Sequence, residues 1–491
     1  MLDETFVLEC IGCRRKYPPE IYYYKCPMCG GVLYVRWNYE LLKDKTNKLI
    51  NKNDFSMWRY RSLLPIRDSS KIISLKEGWT PLIKAERLSK QFNIKNIFLK
   101  DEIRNPSGSF LDRGVSVEVT KAIESGFTSL ACGSTGNLAV SVAAYAARSG
   151  MKSYIFVPRR IDIGKLYQIA VYGAEIYLVN SYEEAIRRSE MMFLESHIIT
   201  IYNPWYLEGI KTTGLEIAEQ SNYALPDHII VAAGSGAHVV MIYKAFEELM
   251  ELGLLEDIHT KLIAVQSEVA DPITKAFKAG VNHITPVVVT RETVASDIAI
   301  GHPIHGNEVL KVVRETGGSV ISVSDGEILE ALSLLAKSEG ILAEPSAAAS
   351  LAGALRLVNE GSILPSESIV IIITGAGLKH PKAIRDTVSK VETLKKILSM
   401  VEGYKEVSRL GETKIRILQA ISEGYTYGYM IWKTLKNKFG IAIGLPTLYQ
   451  HLKELERMGL ITVFSEERTG GRKSIHYALT ERGKKIAIEF T

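Results

Sequence analysis

The sequence predicts an α/β body with a small cysteine-rich module before it and a small helical module closed by a β-hairpin after it. Three observations carry this. Between residues 76 and 388, short apolar runs alternate with Gly-bearing loops and amphipathic stretches, the pattern of parallel strands and covering helices. Residues 10–29 hold two Cys-x-x-Cys pairs. Residues 412–491 read as three helices followed by a β-hairpin.

Composition sets the outer limits. The 491 residues are 46% hydrophobic and 23% charged, which excludes wholesale disorder. No apolar run approaches the roughly 18 residues of a membrane span. Met1-Leu2-Asp3-Glu4-Thr5 lacks the basic and apolar regions of a signal peptide, and the cysteine spacing is that of a metal site. A cytoplasmic protein that engages no membrane is expected. Net charge is +5, and residues 411–491 hold all of the excess: 13 Lys+Arg against 8 Asp+Glu there, 47 of each elsewhere. A basic module on a neutral body predicts an anionic partner for that module.

Five segments follow in order. Residues 1–40 form a ribbon in which Cys10, Cys13, Cys26 and Cys29 offer four thiolates. Two such knuckles suit tetrahedral zinc in a structural role, because four protein ligands leave no open position. Reduced thiols or iron are the alternatives. Residues 41–75 are a polar connector, and 76–388 are the body. Its expected strands are 97–99, 154–157, 176–179, 229–232, 262–265 and 369–373, with helices over 138–147 and 328–336. Continuous apolar runs of this length suit strands buried on both faces.

Residues 389–411 form a linker helix, with Val391, Leu394, Leu398 and Val401 at a/d spacing. That stripe suits either an amphipathic helix lying on the body or a short dimerising coiled coil. In 412–491 the first helix covers 414–422, the second runs from Gly428 to about Lys438, and Pro446 opens the third. Strands over 460–465 and 474–479 flank Thr469-Gly470-Gly471-Arg472, a hairpin turn.

The body resembles the threonine synthases. Glu77-Gly78-Trp79-Thr80-Pro81-Leu82 looks like their opening motif, and Asn105-Pro106-Ser107-Gly108-Ser109-Phe110-Leu111-Asp112-Arg113 like their Asn-Pro-Thr-Gly-Ser-Phe-Lys-Asp-Arg. Ser134-Thr135-Gly136-Asn137, Gly164-Lys165-Leu166-x-Gln168, Glu344-Pro345-Ser346-Ala347-Ala348 and Thr374-Gly375-Ala376-Gly377-Leu378-Lys379 continue the match in order. The resemblance spans residues 1 to about 385, ribbon included, and implies the two-lobed tryptophan-synthase-β-like fold (fold type II) of pyridoxal-phosphate (PLP) enzymes. It implies that Gly234, Ser235, Gly236, Ala237 and His238 cup the PLP phosphate, as a Gly loop opening a helix can. It places Asn137 at the ring oxygen, Thr374 at the pyridine nitrogen, and the backbone around Ser134 at an amino-acid carboxylate.

The departures fall on chemistry. Leu111 stands where the family has the lysine that holds PLP as a Schiff base, and leucine has no amine. Tyr206 and Ala299 stand where the family usually has arginines. Lost guanidiniums argue against an anionic phosphohomoserine substrate. Cofactor contacts without catalytic groups imply a binding pocket with no catalytic residue.

The C-terminal segment resembles the winged-helix domain of PadR-type regulators. Gly428-Tyr429, Thr447-Leu448-Tyr449-x-x-Leu452-x-x-Leu455-x-x-x-Gly459-Leu460-Ile461 and Gly470-Gly471-Arg472-Lys473-x-x-x-Tyr477-x-Leu479-Thr480-x-x-Gly483 carry the match. Leu448, Leu452 and Leu455 are the buried stripe of the third helix. That leaves Thr447, Tyr449, Gln450 and Lys453 for DNA, and Arg468, Arg472 and Lys473 at the hairpin tip for phosphates or the minor groove. His451 fits either a contact or a plain surface position, and a winged helix that binds protein is the alternative. The expectation is a homodimeric, ligand-sensing regulator of double-stranded DNA, whose small-molecule effector is non-covalent PLP, an amino acid or an adduct of the two. The competing expectation is an active PLP-dependent threonine synthase or lyase with a DNA-binding tail.

Overall fold

A computed structural model describes residues 5–19, 24–43, 49–388, 410–469 and 472–489. It divides into two compact units, Met1–Thr387 and Val388–Thr491. The predicted linker helix, with its Val391–Val401 stripe, lies outside the described residues apart from Leu410 and Gly411.

Two parallel sheets organise the first unit. The larger runs in the order Ser319–Val323, Lys261–Ser267, His228–Ala232, Ser368–Ile373, Asn96–Asp101 and Leu82–Lys84, with only the last strand antiparallel. The smaller runs Glu175–Val179, Lys152–Pro158, Ser129–Gly133 and His197–Ile198, all parallel. Side chains alternate between two cores. Ile229 and Val231 join one apolar cluster, while Ile230 and Ala232 join the other. A strand covered on both faces can therefore be apolar throughout, which is why the sequence reads these strands as unbroken runs.

All six expected strands are present, each extended by one to three residues. The expected helices lie within Asn137–Ser149 and Asp325–Glu339. Ser324 closes a capping box with Glu327 at the start of the latter, and Gly340 ends it in a left-handed turn. The segment expected as a polar connector carries buried Trp58, Arg59, Tyr60 and Leu63 in a short 3-10 stretch. Arg59 pairs with Glu219 at 2.6 Å, and Trp58 Nε1 donates to Glu77 at 2.7 Å, so this segment packs onto the body. The ribbon is a three-stranded antiparallel sheet of Phe6–Cys10, Lys16–Tyr17 and Leu33–Trp37.

The helix Leu111–Glu124 is fixed from both sides of its first turn. Asp112 accepts from Ser107 N, Ser107 Oγ and Ser141 Oγ at 2.5–2.7 Å. Arg113 is fully buried and pairs with Glu102 and Glu216, and Lys100 also reaches Glu216 at 2.7 Å. Such a network is sound only when every charge is paired, and here each is. It holds Leu111 at a set place on the wall of the cleft.

The second unit has helices at residues 410–422, Gly428–Lys438 and Leu445–Arg457, then strands Ile461–Thr469 and Arg472–Leu479 and a final helix Glu481–Glu489. Leu448, Leu452 and Leu455 are fully buried, as their spacing predicts, and they join Ile417, Leu435 and Leu460 in one core.

Candidate functional site

A hollow partly open to solvent lies where loops leave the C-terminal ends of strands in both sheets. This is the usual ligand position of parallel α/β folds. Leu111, Ser134, Asn137, Gly234, Ser235, Gly236, Ala237, His238 and Thr374 all line it, so the structure brings together the residues the sequence assigns to the cofactor and to the lysine position.

The Gly loop fits a phosphate. Gly236 has φ +88°, and a Cβ there would lie 2.7 Å from Val309. A Cβ on Gly234 would lie 3.0 Å from the Asp297 carbonyl. The helix Ala237–Glu251 starts at this loop and directs its first amides and its dipole toward the hollow. Around it, the pocket-lining atoms Asn137 Oδ1, His238 Nδ1, Tyr206 Oη and Ser346 Oγ are buried without a hydrogen-bond partner. Buried polar atoms are rarely left so, and together they mark a seat for a polar ligand. His238 stacks flat on Phe110 at 4.2 Å, and burial pulls its pKa down to about 4, so it is a neutral ring. Ser134 Oγ is spent on the chain itself, accepting from Gly136 N at 2.9 Å.

The pocket has an acidic corner that the sequence reading does not assign. Asp297 and Glu344 both line the hollow. Lys165 Nζ reaches both Asp297 oxygens at 2.7 and 2.8 Å, and His380 Nε2 lies 3.3 Å from Asp297 and 3.4 Å from Glu344. Burial works against ionisation of Asp297, but Lys165 and His380 overcome it and hold its pKa well below the carboxylate range. The carboxylates act likewise on His380: burial lowers its pKa, yet the bonds to Asp297 and Glu344 push it up to about 9. Asp297, Glu344 and His380 have the donor spacing of a metal site, but the Lys165 ammonium already supplies a cation to Asp297. Lys379 Nζ is buried without a hydrogen-bond partner, and burial lowers its pKa. Tyr206 is 1% exposed, and its ring fills the space that a Cβ on Gly114 would need. Ala299 does not line the hollow, although its neighbours Ile298 and Ile300 do.

The four ribbon cysteines cluster with all Sγ atoms within 4.8 Å of one another. Cys10 and Cys29 Sγ are 3.4 Å apart, and Cys13 and Cys26 Sγ 3.6 Å. The edges of a tetrahedron with a Zn–S bond of ~2.3 Å measure about 3.8 Å. Gly31 leaves the room this needs, since a Cβ there would stand 3.0 Å from Cys10 Sγ. The donor set and spacing are consistent with a zinc ribbon.

On the C-terminal unit, Thr447, Tyr449, Gln450 and Lys453 are exposed along one side of Leu445–Arg457. His451 is half-buried and lies 3.8 Å from Glu454. Backbone register pairs Arg468 with Lys473 and Thr469 with Arg472 next to the turn. The side chains of Arg468, Arg472 and Lys473 are outside the described residues.

Comparison with known proteins agrees with this geometry. The pyridoxal-phosphate-dependent enzyme family matches residues 73–375, and the transcriptional regulator PadR-like family matches 417–488. The chain is 40% identical to a threonine synthase of Methanocaldococcus jannaschii, over 76% of this chain and 93% of that protein. It is 38% identical to one of Methanosarcina acetivorans, over 77% and 93%. Among solved structures, diaminopropionate ammonia lyase from Escherichia coli superposes with a TM-score of 0.56 at 19% identity, covering 70% of this chain and 96% of that one. Processed threonine deaminase isoform 2 from Solanum lycopersicum gives 0.55 at 21%, covering 64% and 88%. At these identities the structures establish the fold alone, the α/β architecture of fold type II. With the family model matching residues 73–375 and a threonine synthase 40% identical over 76% of the chain, this chain belongs to the pyridoxal-phosphate-dependent enzyme family, as a relative of the threonine synthases fused to a C-terminal PadR-like domain.

Proposed function

We propose that the protein is a DNA-binding transcription regulator whose threonine-synthase-like body senses a small ligand instead of turning one over. The observation that carries this is Leu111: an aliphatic side chain lines the pocket where the resemblance in sequence would put the family's lysine, on a chain that also bears a PadR-like domain. Gly234–His238 would hold the phosphate of PLP, Asn137 and Thr374 would meet its ring, and Leu111 would pack beside it without bonding to it. When bound, PLP supplies an electrophilic aldehyde on an electron-withdrawing ring. The chain's own contribution is to bind, orient and shield that group; Leu111 can neither hold it covalently nor carry a proton. Zinc on the four cysteines would stiffen the ribbon. Thr447, Tyr449, Gln450 and Lys453 would face DNA, with Arg468, Arg472 and Lys473 at the wing. A homodimer working in the cytoplasm would read a two-fold site.

A second reading has one observation in its favour. Lys379 Nζ is a buried amine without a hydrogen-bond partner, 3.9 Å from the position a Gly108 side chain would take. It keeps open a catalytic body with a DNA-binding tail. Borohydride reduction of PLP-loaded protein, followed by peptide mass spectrometry, separates the two. The regulator reading expects PLP to be retained before reduction and no pyridoxyl-lysine afterwards. A pyridoxyl group on Lys379, with turnover of phosphohomoserine, would replace it with the enzyme reading.

A further inference from the structure

The pocket contains an anion of the chain's own. Asp297 comes from the segment between two strands of the larger sheet and reaches the loop that opens the helix Asn137–Ser149. Its carboxylate accepts from Lys165 Nζ at 2.7 and 2.8 Å, and from Thr135 Oγ1, Asn137 Nδ2 and His380 Nε2 at 3.3 Å. Two of these donors, Thr135 and Asn137, stand at the N-terminus of that helix, where positive charge gathers, so Asp297 sits at the loop that the resemblance assigns to a carboxylate. Glu344 lies alongside, accepting from Asn137 Nδ2 at 2.9 and 3.0 Å. The balancing cations sit behind the wall: among the described residues no Lys or Arg lines the pocket, and the Lys165 side chain is 1% exposed. Ser346 Oγ and Tyr206 Oη, both buried, pocket-lining and unpartnered, mark the hollow as a seat for a polar ligand.

We infer that this pocket takes a ligand that carries an amine and no carboxylate, Asp297 occupying the place of the carboxylate an amino acid would bring. A carboxylate ligand has two routes in, and both are unfavourable. It could displace Asp297, which would leave a buried charge without its partners. Or it could settle against Asp297 and Glu344, like charge on like charge. An amine meets neither obstacle, and its positive charge is attracted by both carboxylates. Leu111 fits the same ligand, because it brings no amine of its own to the pocket wall. The inference rests on the pocket being a PLP site, and it narrows the amino-acid effector expected from sequence to an amine.

The test uses stable secondary-amine conjugates that differ by one carboxylate: N-phosphopyridoxyl-ethylamine against N-phosphopyridoxyl-alanine, with pyridoxamine phosphate as reference. Binding to the full chain is measured by calorimetry or by pyridine fluorescence. The ethylamine conjugate should bind at least about tenfold tighter, the scale of one unfavourable charge contact. Asp297→Ala should shrink or reverse that preference, and the near-isosteric Asp297→Asn should shrink it while keeping the shape. Should both variants fail to fold, the wild-type ratio still decides. Equal or tighter binding of the alanine conjugate by wild type overturns this inference and leaves the PLP site standing. No binding of any of the three compounds removes the PLP site and the inference together.

Discussion

Asp297 and Lys165 meet at the pocket wall, the buried ammonium 2.7 and 2.8 Å from the two carboxylate oxygens, with 1% of the lysine side chain exposed. Removing one partner leaves the other buried and charged. Lys165→Met should therefore destabilise the body by about 3–5 kcal/mol. Asp297→Asn is milder, because the amide still accepts from Thr135. Combining the two should recover much of the loss, since both charges are then gone. Urea unfolding of the four proteins, followed by tryptophan fluorescence, gives the coupling directly. Strict additivity would mean that the pair does not act as a unit.

His380 makes this corner sensitive to pH. Its ring faces Asp297, Glu344 and Asp162, with Lys165 and Lys379 as the nearby cations. A pKa raised from 6.5 to about 9 means that the folded protein holds the proton more tightly than the unfolded chain does. The contribution is complete below pH ~6.5 and is lost as pH climbs through about 9, an effect of roughly 3 kcal/mol. Stability of the body should fall between pH 7 and 10, and a His380→Asn variant should lose that slope while being weaker at pH 7. Parallel pH curves for the two proteins would show that some other group titrates.

How much of this was legible in the sequence follows from what each residue contacts. The strand 369–373 is nearly all isoleucine and valine, so its double-sided burial is visible in the sequence alone. Ser129–Gly133 is not legible, because Ser-Leu-Ala-Cys-Gly lacks β-branched residues; its small side chains let the helix Tyr182–Glu190 pack close, with the Ala185 backbone 2.4 Å from where a Gly133 Cβ would be. Leu82–Lys84 is a three-residue edge strand whose pairing with Asn96–Asp101 is tertiary. The pocket loops were legible because each Gly and Ser motif is local. Asp297 was not, since its partners Thr135, Lys165 and His380 lie 162, 132 and 83 residues away. The family motif points instead to Ala299, two residues further on, which does not line the pocket.

The cysteine cluster makes a separable prediction. Protein prepared without chelator should contain about one zinc per chain, as four thiolates complete one tetrahedron. Cys10→Ser should lower that content sharply. The Trp37 fluorescence should shift with it, because Trp37 packs on Phe6 at 4.9 Å in the strand pair that includes Cys10. The body has its own cores and should keep its main unfolding transition. Metal-free wild type from a reducing, chelator-free preparation would contradict the assignment.

The helix Leu445–Arg457 carries the strongest test of DNA recognition, because its two faces predict different outcomes. Leu452 is fully buried among Leu448, Leu455 and Leu435, so Leu452→Ala should cost about 2–5 kcal/mol and unfold the domain rather than alter its preference. Lys453 is exposed on the opposite side. If it neutralises a phosphate, Lys453→Ala weakens all sequences alike and lowers the slope of log affinity against log salt by about 1. Gln450 is exposed beside it, its amide 3.3 Å from Glu454 and free to turn toward a base. Gln450→Ala should change preference at one position by about 1–3 kcal/mol and leave the salt slope alone. Selection from random duplexes, then titration across salt, reads all three at once. A two-fold dimer should enrich an inverted repeat with half-sites about one turn, ~34 Å, apart or a multiple of it. An enriched motif that Gln450→Ala leaves untouched, with Lys453→Ala equally silent, would move recognition off this helix and onto the wing.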